Sequence, residues 1–444
     1  MGESVSRSRG KKVKYYFPFK GQYITYISRY PYTIIYYHDE VHMKQKRIDR
    51  RQFLRDMSVS VAGAGLGLNS LDAASARAAV PAAVQSSSPA TMEYRDLGKT
   101  GMKVSAVSFG VMTLTDPAVL FKAMDRGINY FDTAWMYQNG KNEELLGKVL
   151  KDYGRKKVFV ATKIAPVYSF RAKDTMAMEK PEKMEEKMGQ SLKRLQTDYV
   201  DVLFLHNIVQ PEWATYEPML KFLEKMKKEG KARFVGISFH DGKTLVDVVD
   251  AGLQAPCYDV FLAALNFKSP PEHVAALKKA RQKNIGIIAM KTQAGGYQDA
   301  RRGSLSPYQA ALSWVLQKDF VDCAIPGMVN IDQVVENTGA VGKKLGWSER
   351  KVLDAYYSSI KDRYCLRCGE CRGTCPYETA IPVVNRALMY HEGYGNTELA
   401  RATYQDLGCE ENARSCATCR DRTCRCVNGI NLAERMRYAH RLLA

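Results

Sequence analysis

Outside one short segment near its end, this 444-residue chain has almost no cysteine. Cys257 and Cys323 stand alone, and the other nine of eleven fall between Cys365 and Cys426. A disulfide-stapled scaffold is thereby excluded for the body of the protein, which must be held by its core. The two isolated cysteines sit in apolar, strand-like runs and read as small buried residues. No apolar run approaches the ~20 residues that span a bilayer. The nearest candidate, MSVSVAGAGLGLN at 57–69, is short and rich in glycine, so stable membrane insertion is not expected. Acidic charge is also scarce, with 47 Asp and Glu against 66 Lys and Arg and a formal charge of +19. That excess is not gathered into a basic stripe. Residues 1–56 hold 13 basic against 5 acidic side chains, residues 361–444 hold 13 against 10, and the remainder is dispersed. A nucleic-acid partner is therefore not expected.

What is present suggests two domains with appendages, since 45% hydrophobic and 25% charged residues over this length support a large core. Residues 50–55 read RRQFLR, followed by the weak apolar stretch and then by small residues such as Ala74-Ser75-Ala76. The Arg50–Arg51 pair in that setting resembles a twin-arginine export signal. The resemblance implies transport of an already folded chain to the periplasm or beyond. The alternative is a chance Arg-Arg ahead of a linker in a cytoplasmic protein. Residues 43–85 are assigned to this signal and linker. Residues 1–42, crowded with tyrosine, show no sustained strand or helix pattern and read as an extension without function, with a basic, aromatic membrane-surface segment as the alternative.

From Met92 the pattern becomes regular. A hairpin with turn chemistry at Gly98–Gly101 is followed by eight apolar runs: VSAVSFGVM, NYFDTA, VFVATKI, YVDVLFLH, ARFVGISFH, VFLAALNF, IGIIAMKT and VDCAIPGM. Amphipathic stretches such as PEKMEEKMGQSLKRL and YEPMLKFLEKMKKEG separate them. Eight strand–helix units over residues 92–345 predict an α/β fold, the (β/α)8 TIM barrel. A doubly wound sheet is the alternative, but no G-x-G-x-x-G opens the first crossover. In a barrel the C-terminal strand ends converge on one face. Asp132, Lys163, His206, Ser238, His240, Asn266 and Lys291 are the polar residues at those ends.

The stretch GINYFDTAWMYQNGKNEELLGKVL, with VATKI, DVLFLH and AIPGM…QVVEN further on, resembles the aldo-keto reductase family over residues 92 to about 340. The resemblance implies carbonyl reduction, or alcohol oxidation, by hydride transfer with NADP or NAD on a small-molecule carbonyl substrate. It implies a tetrad of Asp132, Tyr137, Lys163 and His206. Tyr137 is expected to donate the proton, Lys163 to lower the tyrosine pKa from its usual ~10, Asp132 to fix Lys163, and His206 to orient the carbonyl. By the same pattern Ser238, Asn266 and Lys291 belong to the nicotinamide and substrate end, and Gly327, Gln333, Glu336 and Asn337 to the pyrophosphate and adenosine. Met290, Leu262 and Gln333 depart from the family's usual tyrosine, glutamine and arginine. The last departure leaves NAD and NADP both open.

The cysteine segment begins CLRCGECRGTCP, with Cys365, Cys368, Cys371 and Cys375 in the ferredoxin spacing for a 4Fe-4S cluster. Cys409, Cys416, Cys419, Cys424 and Cys426 follow. Residues 346–444 are expected to form a small helical ferredoxin-like iron–sulfur domain, with one cluster and a second if the later cysteines close. Resemblance to helical dicluster ferredoxins implies Cys365, Cys368, Cys371 and Cys426 for one cluster and Cys375, Cys416, Cys419 and Cys424 for the other. Zinc held by C-x-x-C pairs, and a disulfide framework after export, are the rivals. Such clusters imply a redox partner protein, and an electron-transfer protein with the barrel as scaffold is the competing function. Nicotinamide moves electrons in pairs and a cluster moves them singly, and no flavin site is visible to convert one into the other.

Overall fold

The chain divides into two compact units, residues 1–84 and 85–444. The computed structural model describes residues 13–16, 23–26, 91–166, 178–240, 242, 244–297, 305–371 and 373–444. In the first unit β1 (Val13–Tyr16) pairs antiparallel with β2 (Tyr23–Tyr26). No sustained pattern is legible there, because four-residue strands are too short for one, although valine, isoleucine, threonine and tyrosine all favour strands. The Arg50–Arg51 pair and the leader 43–85 lie outside the described residues.

The second unit opens with the expected hairpin, β3 (Tyr94–Asp96) and β4 (Lys103–Ser105). Its turn uses left-handed backbone at Gly98 (φ 51) and Gly101 (φ 70). Gly98 also rests against the start of a barrel strand, where an added Cβ would stand 2.3 Å from the Gly286 nitrogen. The hairpin thus plugs the bottom of the barrel.

All eight apolar runs contain a strand: β5 (Phe109–Gly110), β6 (Tyr130–Asp132), β7 (Phe159–Ile164), β8 (Val200–Leu205), β9 (Ala232–Phe239), β10 (Val260–Ala264), β11 (Gly286–Met290) and β12 (Cys323–Ala324). They pair parallel in chain order, and the bridges Val107–Ala324 and Gly110–Gly327 close the ring. Inward side chains such as Tyr130, Val202, Phe204, Val260, Leu262 and Ile288 fill the interior, while alternate residues pack outward beneath the helices. Cys323 is one of the inward residues. Cys257 differs from expectation: it lies in the loop before β10 and is only half-buried, packed against the edge of the core.

The outer helices are α1 (Pro117–Asp125), α2 (Lys141–Tyr153), α3 (Pro181–Leu195), the short α4 (Pro211–Ala214), α5 (Glu217–Lys228), α6 (Leu245–Gln254), α7 (Pro271–Gln282), α8 (Pro307–Leu316) and α9 (Ile331–Thr338). Four further helices follow: α10 (Trp347–Ile360), α11 (Ile381–Glu392), α12 (Thr397–Gln405) and α13 (Leu432–Leu443). They share a core built from Tyr356, Ile360, Val384, Leu388, Tyr404 and Met436. An Arg435–Glu392 fork, with N–O distances of 2.6 and 3.0 Å, clamps α13 to α11.

This core also includes Ala294 and Tyr297 from the loop after β11, with Met112 and Phe267 packed against it. The C-terminal segment is therefore seated on the mouth of the barrel within one compact unit. The backbones come close at Gly393, where an added Cβ would stand 2.0 Å from the carbonyl oxygen of Gly295. Gly393→Val should cost about 1–3 kcal/mol through this overlap. The measurement is the urea midpoint together with hydrogen exchange in residues 381–394. An unchanged midpoint with unchanged protection would refute the close seating.

Candidate functional site

Asp132 ends β6, Lys163 lies near the end of β7, and His206 follows β8, so three neighbouring strands deliver them to one face. Tyr137 sits in a short 3-10 turn after β6. That turn is fixed from several sides. Gln138 donates to the carbonyls of Met112 and Leu114 at 3.0 and 2.9 Å, and Arg194 donates to the carbonyl of Trp135 at 2.9 Å. The peptide nitrogen of Trp135 donates to the Lys163 carbonyl at 3.1 Å, tying the turn to the strand beside it.

Lys163 and Asp132 form a buried ion pair, each less than 5% exposed. The ammonium also donates to the Thr133 carbonyl at 2.7 Å. Burial raises the Asp132 carboxyl and lowers the Lys163 ammonium, and each partner opposes the other's shift. The Lys163 nitrogen lies 5.0 Å from the centroid of the Tyr137 ring, and the His206 ring stands edge-on to that ring at 5.8 Å. All four predicted tetrad residues are therefore together.

The electrostatics of Tyr137 are dominated by burial and not by Lys163. Burial pushes that phenol well above its ordinary range, and Asp132, Tyr390 and Tyr394 add to the shift. The charge of Arg386 of α11 acts in the opposite direction. His206 is pushed well below its ordinary range, first by burial and then by Lys163, Arg386 and Lys291, so its ring is neutral at pH 7.

Around this centre the other predicted residues occupy the rim. Ser238, near the end of β9, accepts from the Asn207 nitrogen at 3.0 Å. Asn266 is already engaged: its oxygen accepts from the Lys268 nitrogen, and its amide donates to the Lys291 carbonyl and to the Tyr364 hydroxyl of the C-terminal segment. Lys291 has left-handed backbone (φ 55) directly after β11. Gly327 follows β12 and pairs with Gly110 across the seam of the barrel. On α9, the Gln333 oxygen accepts from the Val329 nitrogen, Asn337 accepts from Gln293, and Glu336 is half-buried. Buried polar atoms without a hydrogen-bond partner also lie at strand ends: Asn207 Oδ1, His240 Nδ1 and Thr292 Oγ1. A mouth with such atoms fits a polar ligand.

Sequence reasoning missed Asn207, Thr292, Arg367 and Arg386. Asn207 and Thr292 follow predicted strand ends and were legible there. The arginines were not, since only the seating of the C-terminal segment brings them to the barrel.

The cysteines form two groups. Cys365, Cys368, Cys371 and Cys426 line one cavity together with Gly369, Pro382 and Asn385. Left-handed backbone at Arg367 (φ 57) and Gly369 (φ 80) winds the chain around it. Burial raises Cys416, and Cys375, Cys424 and Cys419 act on it electrostatically, which places these four thiols near one another. Links from Thr423 and Arg425 to Thr374 join the two cysteine runs. Polar groups also reach the sulfurs: the Arg367 nitrogen to Cys365 at 3.4 Å and Asn428 Nδ2 to Cys368 at 3.7 Å. Both polar atoms of buried Asn385 lack partners beside the first cavity. Among the described residues no three His, Cys, Asp or Glu side chains form a group that could hold a metal ion.

Residues 113–304 match the sequence model of the Aldo/keto reductase family, which ends before the cysteine segment. The chain is 29% identical over 294 residues to L-galactose dehydrogenase of Arabidopsis thaliana, covering 56% of this chain and 88% of that protein. It is 25% identical over 292 residues to an aldo-keto reductase of Schizosaccharomyces pombe, yakc, whose name carries NADP(+), covering 54% and 85%. Among solved structures, the holo form of aldo-keto reductase AKR11C1 from Bacillus halodurans superposes with a TM-score of 0.49 at 24% identity, covering 59% of this chain and 95% of that one.

Replacing Lys163 by Met leaves Asp132 buried without its cation and should cost about 3–5 kcal/mol near neutral pH. The unpaired carboxyl would have a folded pKa above its unfolded value. The variant should therefore keep more of its stability at low pH and lose it as pH rises. Urea unfolding at pH 5 and pH 8 checks this, and an equal loss at both would refute it.

Proposed function

Taking the barrel as an oxidoreductase of the aldo-keto reductase type, we propose that it reduces a carbonyl group on a small molecule, or runs the reverse oxidation, with NADP or NAD. The carrying observation is the buried Asp132–Lys163 pair with the Tyr137 ring beside it and the His206 ring edge-on to that tyrosine. A bound nicotinamide supplies the hydride. Tyr137 keeps its proton through neutral pH because burial raises its pKa, and it delivers that proton to the developing alkoxide. Neutral His206 offers an N–H to orient the carbonyl oxygen. Lys163, held by Asp132, keeps a positive charge beneath the tyrosine ring. The left-handed turn at Lys291, with Thr292 and Ser238, would hold the nicotinamide end. The N-terminus of α9 with Gly327, Gln333, Glu336 and Asn337 would hold the phosphates and adenosine.

The second part of the proposal concerns the tail. Cys365, Cys368, Cys371 and Cys426 would hold one 4Fe-4S cluster, and Cys375, Cys416, Cys419 and Cys424 a second. The cavity lined by the first set and the unpartnered amide of Asn385 beside it support this reading, because cluster sulfur accepts such donors. A redox partner protein would exchange electrons with them. Export by the twin-arginine route rests on Arg50–Arg51 with the apolar stretch and small residues that follow it.

Tyr137→Phe should lower carbonyl turnover about 100-fold or more. Turnover by the native chain should be flat from about pH 6 to 9, since the phenol stays protonated across that range. Undiminished turnover in the variant would end the reductase reading. Anaerobic purification followed by denaturation should release a nicotinamide nucleotide, with iron and sulfide in equal amounts and about four of each per cluster. Zinc in place of iron would overturn the cluster assignment.

A further inference from the structure

The loop after β11, residues 291–297, is coiled tightly by left-handed backbone at Lys291, Ala294, Gly295 and Gly296. At Ala294 (φ 47) that conformation is unfavourable for a residue with a Cβ and persists only where the surroundings fix it. The C-terminal segment supplies those surroundings. Ala294 and Tyr297 are fully buried in its core, and Gly393 closes on the Gly295 carbonyl. The Tyr356 hydroxyl of α10 donates to the Gln293 carbonyl at 2.9 Å. Burial raises that phenol far above its ordinary range, so it remains a donor at any working pH.

The Gln293 side chain crosses from this loop to α9, where its Nε2 donates to Asn337 Oδ1 at 2.7 Å. Asn337 is only 2% exposed, and no other hydrogen bond of its side chain is found among the described residues. Its oxygen is thus engaged, and both N–H groups of Nδ2 are left for a ligand. Phosphate oxygens and the ring nitrogens of adenine are acceptors, which such a donor suits. A half-buried amide without this tether would have to be ordered when the ligand binds, at a cost in affinity.

We propose that Gln293 is a positioning residue for the adenosine–phosphate half of the nicotinamide nucleotide, acting through Asn337, and that Tyr356 makes the C-terminal segment a working part of that site. The path is short and made of two hydrogen bonds, Tyr356 to Gln293 and Gln293 to Asn337. This deepens the cofactor reading above and rests on it for the role of Asn337. It does not depend on what the cysteines hold. The nicotinamide half, assigned to Lys291, Thr292 and Ser238, does not pass through Asn337, so the two halves of the nucleotide respond differently to a change at Gln293.

The test uses the full chain, freed of bound nucleotide by gel filtration. Calorimetry measures binding of ADP-ribose and its 2′-phosphate, and fluorescence measures reduced nicotinamide mononucleotide. Gln293→Met should weaken the better of the two ADP-ribose ligands about 5- to 10-fold, and Tyr356→Phe about 2- to 5-fold, with the mononucleotide unchanged. In an Asn337→Ala background Gln293→Met should have no further effect, because the residue it acts through is gone. A merely structural bond gives a different pattern: both probes weaken alike, or the losses at Gln293 and Asn337 add. Either result overturns the assignment. ADP-ribose binding that is unchanged in both single variants ends the inference and leaves the cofactor reading standing. A native chain that binds neither ADP-ribose ligand nor the intact nucleotides ends both. Tyr356→Phe, which removes one oxygen, keeps the test open should Gln293→Met fail to fold.

Discussion

The mouth of this barrel is organised by one buried ion pair. Lys163 and Asp132 are held on adjacent strands whose pairing places Asp132 beside Ala161, two residues before the lysine. Neither side chain has meaningful access to water, so each depends on the other to stay charged. Because the ammonium also bonds the Thr133 carbonyl, it cannot swing out to meet another partner. Everything around it adapts to a fixed positive charge. The Tyr137 ring lies beside it, and neutral His206 is kept neutral in part by that same charge.

The second constraint comes from above. The C-terminal helices share their core with the loop after β11, so the barrel mouth is a floor and the tail its roof. Helix α11 belongs to both. Pro382 and Asn385 face the cavity of the first cysteine group, while Arg386 and Tyr390 act on Tyr137. A change in charge at the cysteines would thus be felt through one rigid helix by the residue proposed to donate the proton. Asn266 shows the same coupling in a smaller way, since its amide spans Lys291 of the barrel and Tyr364 of the tail.

Much of this was legible in the sequence, and for definite reasons. The eight strands are continuous apolar runs bounded by turn residues, and a parallel barrel has no other way to build them. Tyr137 could be located because it stands five residues after Asp132 in a locally fixed turn. The ferredoxin spacing marked the first run of cysteines, and the grouping of Cys426 with Cys365, Cys368 and Cys371 came only from the resemblance to helical dicluster ferredoxins. What could not be read was contact between segments distant in the chain. Arg386 looks like an ordinary helical arginine until α11 is placed over the barrel, and Arg367 looks like filler between cysteines. The raised pKa of Tyr137 was invisible for the same reason. Its sign depends on burial beneath residues 250 positions further on, whereas the sequence suggested only the nearby lysine.

That roof bears on the mismatch between paired and single electrons. A cluster on the far side of the molecule would bear on the carbonyl site only through a long chain of contacts. Here the first cysteine cavity and Tyr137 are separated by a single helix that contributes residues to each. Helix α11 thus joins the two, with Pro382 and Asn385 lining the cysteine cavity and Arg386 acting electrostatically on Tyr137.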